Sequence, residues 1–431
     1  MHRVLLVRAL SLYVPLSAAM VLWQWKKPFS RELTGALLAT AWNIPSLFAI
    51  NLLAFRAHWW VFQVQGGAVE HIPVDLWLGW AALWGFIGAL LFSRLPIWLG
   101  AISAIACDAI FMPLCTPALV LYKTWWIGEA AAILFCLIPG LLLARWTAEQ
   151  RFVNARAALQ AVCFGSFFIL ASTLYLHAAG KLGWVLDFSP LKLHLLATLI
   201  VLAAVPGLSA VQEFAIAGQG TPLPFDPPQH LVTSGIYTYI ANPMQVSVPL
   251  ILLVLAAFSR DLALLATAIL ALLYSIGLAA WDENLDLKNR FSNHYVEYRE
   301  HVRDWIPRWQ PYVPTSAKIY IAGNCGKCSE IGLFLQSLHP CSLEIIPAEN
   351  HPARDLLRMT YECNGMKAEG LASFARALEH VNLAWAFTGM FLRLPGINQL
   401  LQAVVDASGG GPMIVQRASS SVGEQGSSCR I

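Results

Sequence analysis

Cys325 and Cys328 stand in the tetrapeptide Cys-Gly-Lys-Cys, between a β-type run, Lys318 to Ala322, and a helical run, Ser329 to Leu338. A cysteine pair at a strand-to-helix turn puts its first thiol at a helix N-terminus. Backbone dipoles there favour the thiolate, and Lys327 adds positive charge. The chemistry this offers is reversible thiol–disulfide exchange, with Cys325 as the nucleophile. Cys341 and Cys363 could instead complete a four-thiolate zinc site, but they form no second Cys-x2-Cys knuckle, and no bound metal is expected. A second stretch, Gly218 to Gln245, is polar, dense in glycine and proline, and wedged between apolar runs. Irregular backbone near a bilayer persists only where protein or a polar cavity satisfies it, so a ligand pocket and an interfacial loop are both open readings. Asp282-Glu283 closes the last apolar run, and a tight Ser259-Arg260-Asp261 turn between two helices would return Asn242-Pro243 beside Glu283. Pro243 would free a carbonyl one turn back if it lay inside a helix. Asp108 and Glu129 lie inside apolar runs and are the one hint of a transport path, although a buried carboxylate more often pairs with a neighbour.

The elements that carry these residues are mostly apolar spans. Of 431 residues, 57% are hydrophobic and 12% charged, against about 25% charged in a soluble domain. The mean hydropathy is +0.58. These values exclude a disordered chain, a coiled coil and an ordinary cytosolic enzyme, and the net charge of +3 is too small and dispersed for a nucleic-acid partner. Nine runs approach or exceed the ~20 residues that cross a bilayer. They are Val4–Trp25, Thr34–Phe55, Leu76–Phe92, Pro96–Leu121, Trp126–Ala144, Ala157–His177, Leu193–Val211, Val246–Phe258 and Leu262–Trp281, the eighth lengthening if it begins near Pro243. Cys107, Cys115, Cys136 and Cys163 fall inside such runs and read as small buried hydrophobes. The first run carries Arg8 and no clean cleavage pattern, so it reads as a retained helix. Lys26, Lys27 and Arg31 after the first span, and Arg145, Arg151 and Arg156 after the fifth, put the N-terminus outside and the C-terminus in the cytoplasm of a bacterial-type inner membrane. Beyond Trp281 come a charged amphipathic stretch to Arg308, a linker with Pro307, Pro311 and Pro314, and an α/β segment with strands at Lys318–Ala322 and Ser342–Pro347. Helical patterns follow from Gly370 to Asp406, and Gly/Ser-rich sequence from Gly409 to Ser428 reads as disordered.

Thr221-Pro-Leu-Pro-Phe-Asp-Pro-Pro, His230-Leu-Val-Thr-Ser-Gly-Ile-Tyr, Asn242-Pro-Met, Asp282-Glu283 and Phe291-x3-Tyr-x2-Tyr298 together resemble the core of the isoprenylcysteine carboxyl methyltransferase and phospholipid N-methyltransferase superfamily. The resemblance covers about 218–310. It implies an integral-membrane enzyme that uses S-adenosyl-L-methionine. It also implies a cofactor site formed by Gln229, His230, Leu231, Val232, Tyr237, Asn242, Pro243, Met244, Gln245 and Glu283. Glu283 would then accept hydrogen bonds from the cofactor rather than act as a base. Three positions depart from the family pattern. Ala241 stands for an arginine, Gln245 for an aromatic residue, and Ala279 for the arginine that contacts substrate in the prenylcysteine enzymes. The last change argues against a carboxylate acceptor of the prenylcysteine type, and the set also admits a degenerate, non-catalytic copy.

The tail resembles the DCC family of thiol-disulfide oxidoreductases over about 317–408, through Cys325-x-x-Cys328, Tyr361-Glu-Cys-Asn-Gly-Met-Lys-Ala-Glu-Gly-Leu, Trp385 and Arg393-Leu-Pro-Gly-Ile. That resemblance implies a thioredoxin-like fold with Cys325 and Cys328 as its redox pair, although Ala322-Gly-Asn-Cys325 lacks the family's aspartate. The expected whole is an all-α polytopic membrane protein with about nine transmembrane helices and a C-terminal α/β thioredoxin-like domain. Its expected divisions are 1–155, helices of unknown role; 156–312, the methyltransferase core; 317–408, the thiol domain; and 409–431, a disordered tail. Its expected function is methyl transfer to a lipid-soluble or membrane-presented acceptor, among membrane lipids and with a thiol-redox partner protein. The competing readings are a tethered thiol oxidoreductase with an inactive core, and a non-enzymatic scaffold or transporter.

Overall fold

The computed structural model describes residues 2–417 apart from 65, 93, 94, 117 and 224; the side chains of His2, Trp184, Leu186, Ala279, Asp282 and Glu283 are also outside the description. The chain divides into two compact units, Met1–Asp187 with Gly220–Pro227, and Phe188–Gln219 with Pro228–Ile431.

The first unit is built on six long helices: α1 (His2–Lys26), α2 (Ser30–Arg56), α3 (Val74–Leu91), α4 (Ile97–Leu114), α5 (Trp125–Glu149) and α6 (Val153–Ala178). Each is long and apolar enough to cross a membrane. The Pro96–Leu121 run is not one helix. α4 ends at Leu114, and Leu119–Leu121 forms strand β2, which pairs antiparallel with β1 (Trp60–Phe62). Helix and strand are equally apolar here. What separates them is the turn at Cys115, after which the backbone groups of β2 find their partners on β1, as an apolar setting demands. α3 and α5 each contain a π-turn, at Leu83–Ile87 and Ile133–Leu137. The Gly220–Pro227 stretch joins this unit through a buried ion pair, Arg156 Nη1 to Asp226 Oδ2 at 2.6 Å.

The second unit begins with α7 (Pro190–Ile216), whose Ser189 cap and Pro190 at the first helical position mark its start. α7 is the seventh span-length helix among the described residues; the next two apolar helices, α8 (Pro243–Ser259) and α9 (Leu262–Leu278), are shorter. Arg260 in the left-handed region ends α8, and the Asp261 carboxylate caps α9 by accepting from the Leu264 N–H at 2.8 Å. α7 and α8 approach closely where Gly207 faces Ser247: a Cβ at Gly207 would lie 2.9 Å from the serine side chain. Such small-residue contacts are how helices pack without a hydrophobic driving force between them. The charged stretch after α9 is helix α10 (Ala280–His301), kinked at Ser292.

A four-stranded sheet follows, from β3 (Ala317–Ile321), β4 (Leu343–Pro347), β5 (Thr360–Cys363) and β6 (Met366–Glu369) in the order β4-β3-β5-β6. β3 and β4 are parallel, bridged by α11 (Gly326–Ser337), while β5 runs antiparallel to β3 and turns into β6 through Asn364-Gly365. Both turn residues have positive φ, the geometry of a type I′ hairpin. α12 (Leu371–Leu378), α13 (Leu383–Arg393) and α14 (Ile397–Val405) follow the sheet. Ile319, Ile321, Leu335, Ala377 and Leu378 form the core between sheet and helices. Part of the stretch expected to be disordered is ordered: Met413 and Val415 donate backbone hydrogen bonds to Leu357 and Leu356, because the exposed edge there has donors and acceptors to satisfy. Residues 418–431 lie outside the description.

Candidate functional site

The Pro228–Asn242 loop of the second unit is fixed along α10 and the segment after it. The Arg290 guanidinium donates to the Pro228 carbonyl, and Tyr298 OH donates to the Tyr237 carbonyl at 2.8 Å. Ala241 and Asn242 N–H donate to the Arg303 and Asp304 carbonyls at 3.0 and 3.3 Å, and Asn242 Nδ2 donates to Asp304 Oδ1 at 3.0 Å. Arg308 and Tyr312 return the pattern, donating to the Tyr239 and Thr238 carbonyls at 3.0 and 2.9 Å. The supposed proline linker is therefore a backbone brace for the loop. Burial holds the Tyr298 phenol well above its ordinary pKa, so it stays a donor.

The candidate cofactor residues separate into groups. Gln229 and His230 turn their N–H groups to the Gly218 carbonyl, at 2.7 and 3.4 Å, and leave their side chains exposed. Leu231 packs on Tyr295, Tyr298 and Val302 of α10 and its continuation. Val232 and Tyr237 are buried with Met244 in a cluster reaching α7 and α13, where Tyr237 stacks on Phe214 at 5.4 Å. Gln245 is half-buried. Pro243 is the first residue of α8, so the condition for freeing a carbonyl is not met and it breaks no helical hydrogen bond. The proline within α8 is Pro249, which has no N–H to offer the Gln245 carbonyl one turn back. Glu283 belongs to α10, but its side chain lies outside the description, as do those of Asp282 and Ala279.

Residues 191–292 match the phospholipid methyltransferase family model. The matched segment is about a quarter of the chain and takes in α7, the loop, α8, α9 and the first half of α10. The similarity supports a membrane methyltransferase in general. Neither the curated proteins nor the solved structures contain a match.

Beneath the loop lies a cluster that the sequence did not disclose. The Glu213 carboxylate, near the end of α7, receives Arg376 Nη1 at 2.7 Å, Arg393 Nη2 at 2.6 Å and Ser234 Oγ at 2.6 Å. Glu379 completes a neutral quartet, meeting Arg393 at 2.6 Å and Arg376 at 3.2 Å. All four side chains are almost fully buried. Gly235 makes the closure possible: its φ is +60°, and a Cβ there would lie 2.7 Å from the Glu213 carboxyl. Tyr239 OH adds a bond to the Glu379 carbonyl at 2.9 Å, and Val232, Ile236 and Tyr239 pack with Ala386 and Met390 of α13. The C-terminal helices and the loop are thus one packed body.

Cys325 is the cap residue of α11 and half-buried, and Ser329 N–H donates to its carbonyl at 2.9 Å. Hydrogen bonding from the Cys328 thiol, then the backbone N–H groups of Cys328 and Lys327, holds its pKa below the ordinary thiol value. Burial pushes the Cys328 thiol up to about 11. Glu349 braces the turn before the pair, its carboxylate accepting from Gly323 N–H at 3.0 Å and Asn324 N–H at 3.2 Å. Cys341 donates to Gln310 and Cys363 to Thr315, and no group of three metal-ligand side chains converges among the described residues. Alkylation of the full chain should therefore proceed first at Cys325, with a rate midpoint below the ~8.5 of a free thiol, and Cys328 should lag. Mass-resolved labelling rates against pH give the check; equal rates at the two thiols would refute the assignment.

Proposed function

We propose that the chain is an integral-membrane, S-adenosylmethionine-dependent methyltransferase acting on a lipid-soluble or membrane-presented acceptor, with an appended thiol-redox region on the cytoplasmic side. The observation that carries the reading is the family match over 191–292, which contains every candidate cofactor residue from Gln229 to Glu283. The matched segment also offers polar groups to a nucleoside ligand. Gln229 and His230 side chains are exposed, Asn242 is half-buried, and the buried hydroxyls of Ser209 and Ser247 in α7 and α8 have no hydrogen-bond partner among the described residues. When bound, S-adenosylmethionine supplies an electrophilic methyl group. Transfer is an in-line displacement, so the protein's part is chiefly to hold donor and acceptor in line. The backbone ties from Tyr298, Arg303 and Asp304 keep the loop from shifting, which is the positioning such a step needs. A carboxylate or thiolate acceptor needs no base, whereas an amine must first lose a proton.

Calorimetric titration of the detergent-solubilised chain with S-adenosylmethionine and its demethylated product tests the reading. Both should bind, and Glu283→Gln should weaken binding by about 1.5–3 kcal/mol if the bond is charge-assisted. Absence of binding by wild type at millimolar concentration would remove the methyltransferase reading. Undiminished binding by the variant would reassign the site while keeping the activity.

The thiol reading rests on separate support: a parallel βαβ unit, then a hairpin and a helix, with the cysteine pair at the first strand-to-helix turn. That order is compatible with a thioredoxin-like fold. In such a region the Cys325 thiolate attacks a partner's disulfide, releasing one partner thiolate. Cys328 then attacks the mixed disulfide, leaving the partner reduced and Cys325–Cys328 oxidised.

A further inference from the structure

We propose that the first unit binds a small organic ammonium ion in a tryptophan-walled cavity lined by Glu129, with Asp108 beside that carboxylate. The cavity has a volume of about 50 Å³, and Trp60, Trp77, Trp80, Trp84 and Glu129 are among the residues that line it. It lies among α2, α3 and α5, and Trp84 sits in the π-turn of α3, a helix irregularity common at functional sites.

Glu129 is 7% exposed and Asp108 fully buried. The two are neighbours, with Trp80 and Trp84 beside Asp108. Asp108, Glu129, Trp80 and Trp84 interact with one another through long hydrogen-bonding contacts, and neither Asp108 oxygen nor Glu129 Oε1 has a partner within 3.5 Å. No described ion pair includes either acid, and the cavity lining contains no lysine, arginine or histidine. Arg8, the arginine of α1 nearest in sequence to this bundle's acids, is engaged by Asp75 at 2.7 Å. An acidic pair buried in a spanning bundle without a compensating cation is costly, and such residues mark ligand paths.

The walls select the ion. A hard metal cation takes six or more oxygen ligands, and no group of three acidic, histidine or cysteine side chains gathers among the described residues. Aromatic faces, by contrast, attract alkylated ammonium ions through the ring quadrupole, and the carboxylate supplies the countercharge. Two of the rings are held by their polar tips: Trp60 Nε1 donates to Asn51 Oδ1 at 2.9 Å, and Trp77 Nε1 donates to the Ile44 carbonyl at 2.7 Å. A pre-set cage of this kind loses little side-chain freedom on binding.

The test uses the purified full chain in a detergent without an ammonium headgroup. Tryptophan fluorescence and calorimetry follow titration with tetramethylammonium and choline at constant ionic strength. 3,3-Dimethylbutan-1-ol serves as the uncharged choline isostere and sodium as the hard cation. Saturable binding of both ammonium ions is expected, with the isostere and sodium at least tenfold weaker. Glu129→Gln should reduce choline binding at least tenfold. Trp84→Phe, which keeps an aromatic face but removes the indole N–H beside Asp108, should reduce it severalfold and decides the matter if the first variant does not fold. A soluble short-chain phosphocholine that competes with choline identifies a lipid headgroup as the source; failure to compete identifies a free ammonium ion. No saturable binding of either ammonium ion at high millimolar concentration overturns the proposal, as does undiminished binding in Trp84→Phe together with Glu129→Gln. S-adenosylmethionine titration of the same preparations reads the second unit separately.

Discussion

Glu213→Gln lowers the stability of the second unit by about 3–5 kcal/mol, the range for removing one partner from a buried ion pair. Wild-type Glu213 and Glu379 balance Arg376 and Arg393, and all four lie out of water. Glutamine keeps the volume and can still accept from Ser234, but it leaves two guanidinium groups with one carboxylate. Neither arginine can shed its proton, so the surplus charge stays buried or the C-terminal helices open to hydrate it. Thermal and urea unfolding in detergent, followed by Tyr and Trp signals, measure the loss. Arg393→Met in the same chain restores neutrality, so the double variant should be more stable than the sum of the two single effects. A loss below about 1 kcal/mol for Glu213→Gln would place the quartet in a hydrated setting.

Seven of the nine expected spans were legible because bilayer thickness imposes a length; the other two, α8 and α9, are apolar helices shorter than a span. Where length failed as a guide, so did the reading: Leu119–Leu121 looks like the end of a span and is a strand, since only the partner at Trp60–Phe62 distinguishes the two. The β3 run, α11 and β4 were visible from local pattern alone, within a few residues. The Glu213 quartet was not. An acidic residue near a span end looks the same whether it meets headgroups or arginines, and Arg393 lies 180 residues away. Glu349 escaped for a related reason, since its carboxylate supports Gly323 from 26 residues downstream through backbone N–H groups that any sequence would supply. A residue's type shows what it can bond, whereas long-range packing decides what it does bond. The open question at Pro243, inside a helix or at its start, was likewise settled only by the structure, which makes it the first residue of α8.

Acidification from pH 7 towards 4 should destabilise the second unit through His380. This side chain is buried between Tyr361 and Cys341, with its ring nitrogens 2.9 Å from the Tyr361 hydroxyl and 2.8 Å from the Cys341 carbonyl. The carbonyl can only accept, so Nδ1 carries the proton and Nε2 accepts from the tyrosine. Burial first, and Arg376 second, bring the histidine pKa down from 6.5 to about 4, against the opposing pull of the Cys341 carbonyl. The folded state therefore holds the ring neutral where the unfolded chain would protonate it. The stabilisation is fully present above the unfolded value near 6.5 and is lost as pH falls towards 4, reaching about 3 kcal/mol at the lower end. Asp406 contributes outside this window: pairing with Arg358 holds its carboxyl at about 2, so its contribution fades only below the ordinary 3.8. Glutamine can imitate the neutral ring, donating to the Cys341 carbonyl and accepting from Tyr361. Unfolding free energies for wild type and His380→Gln, measured at half-unit steps from pH 7 to 4, separate the two groups. The wild-type curve should slope downward with acid and the variant should be flatter across the same interval; parallel curves would show that another group carries the dependence.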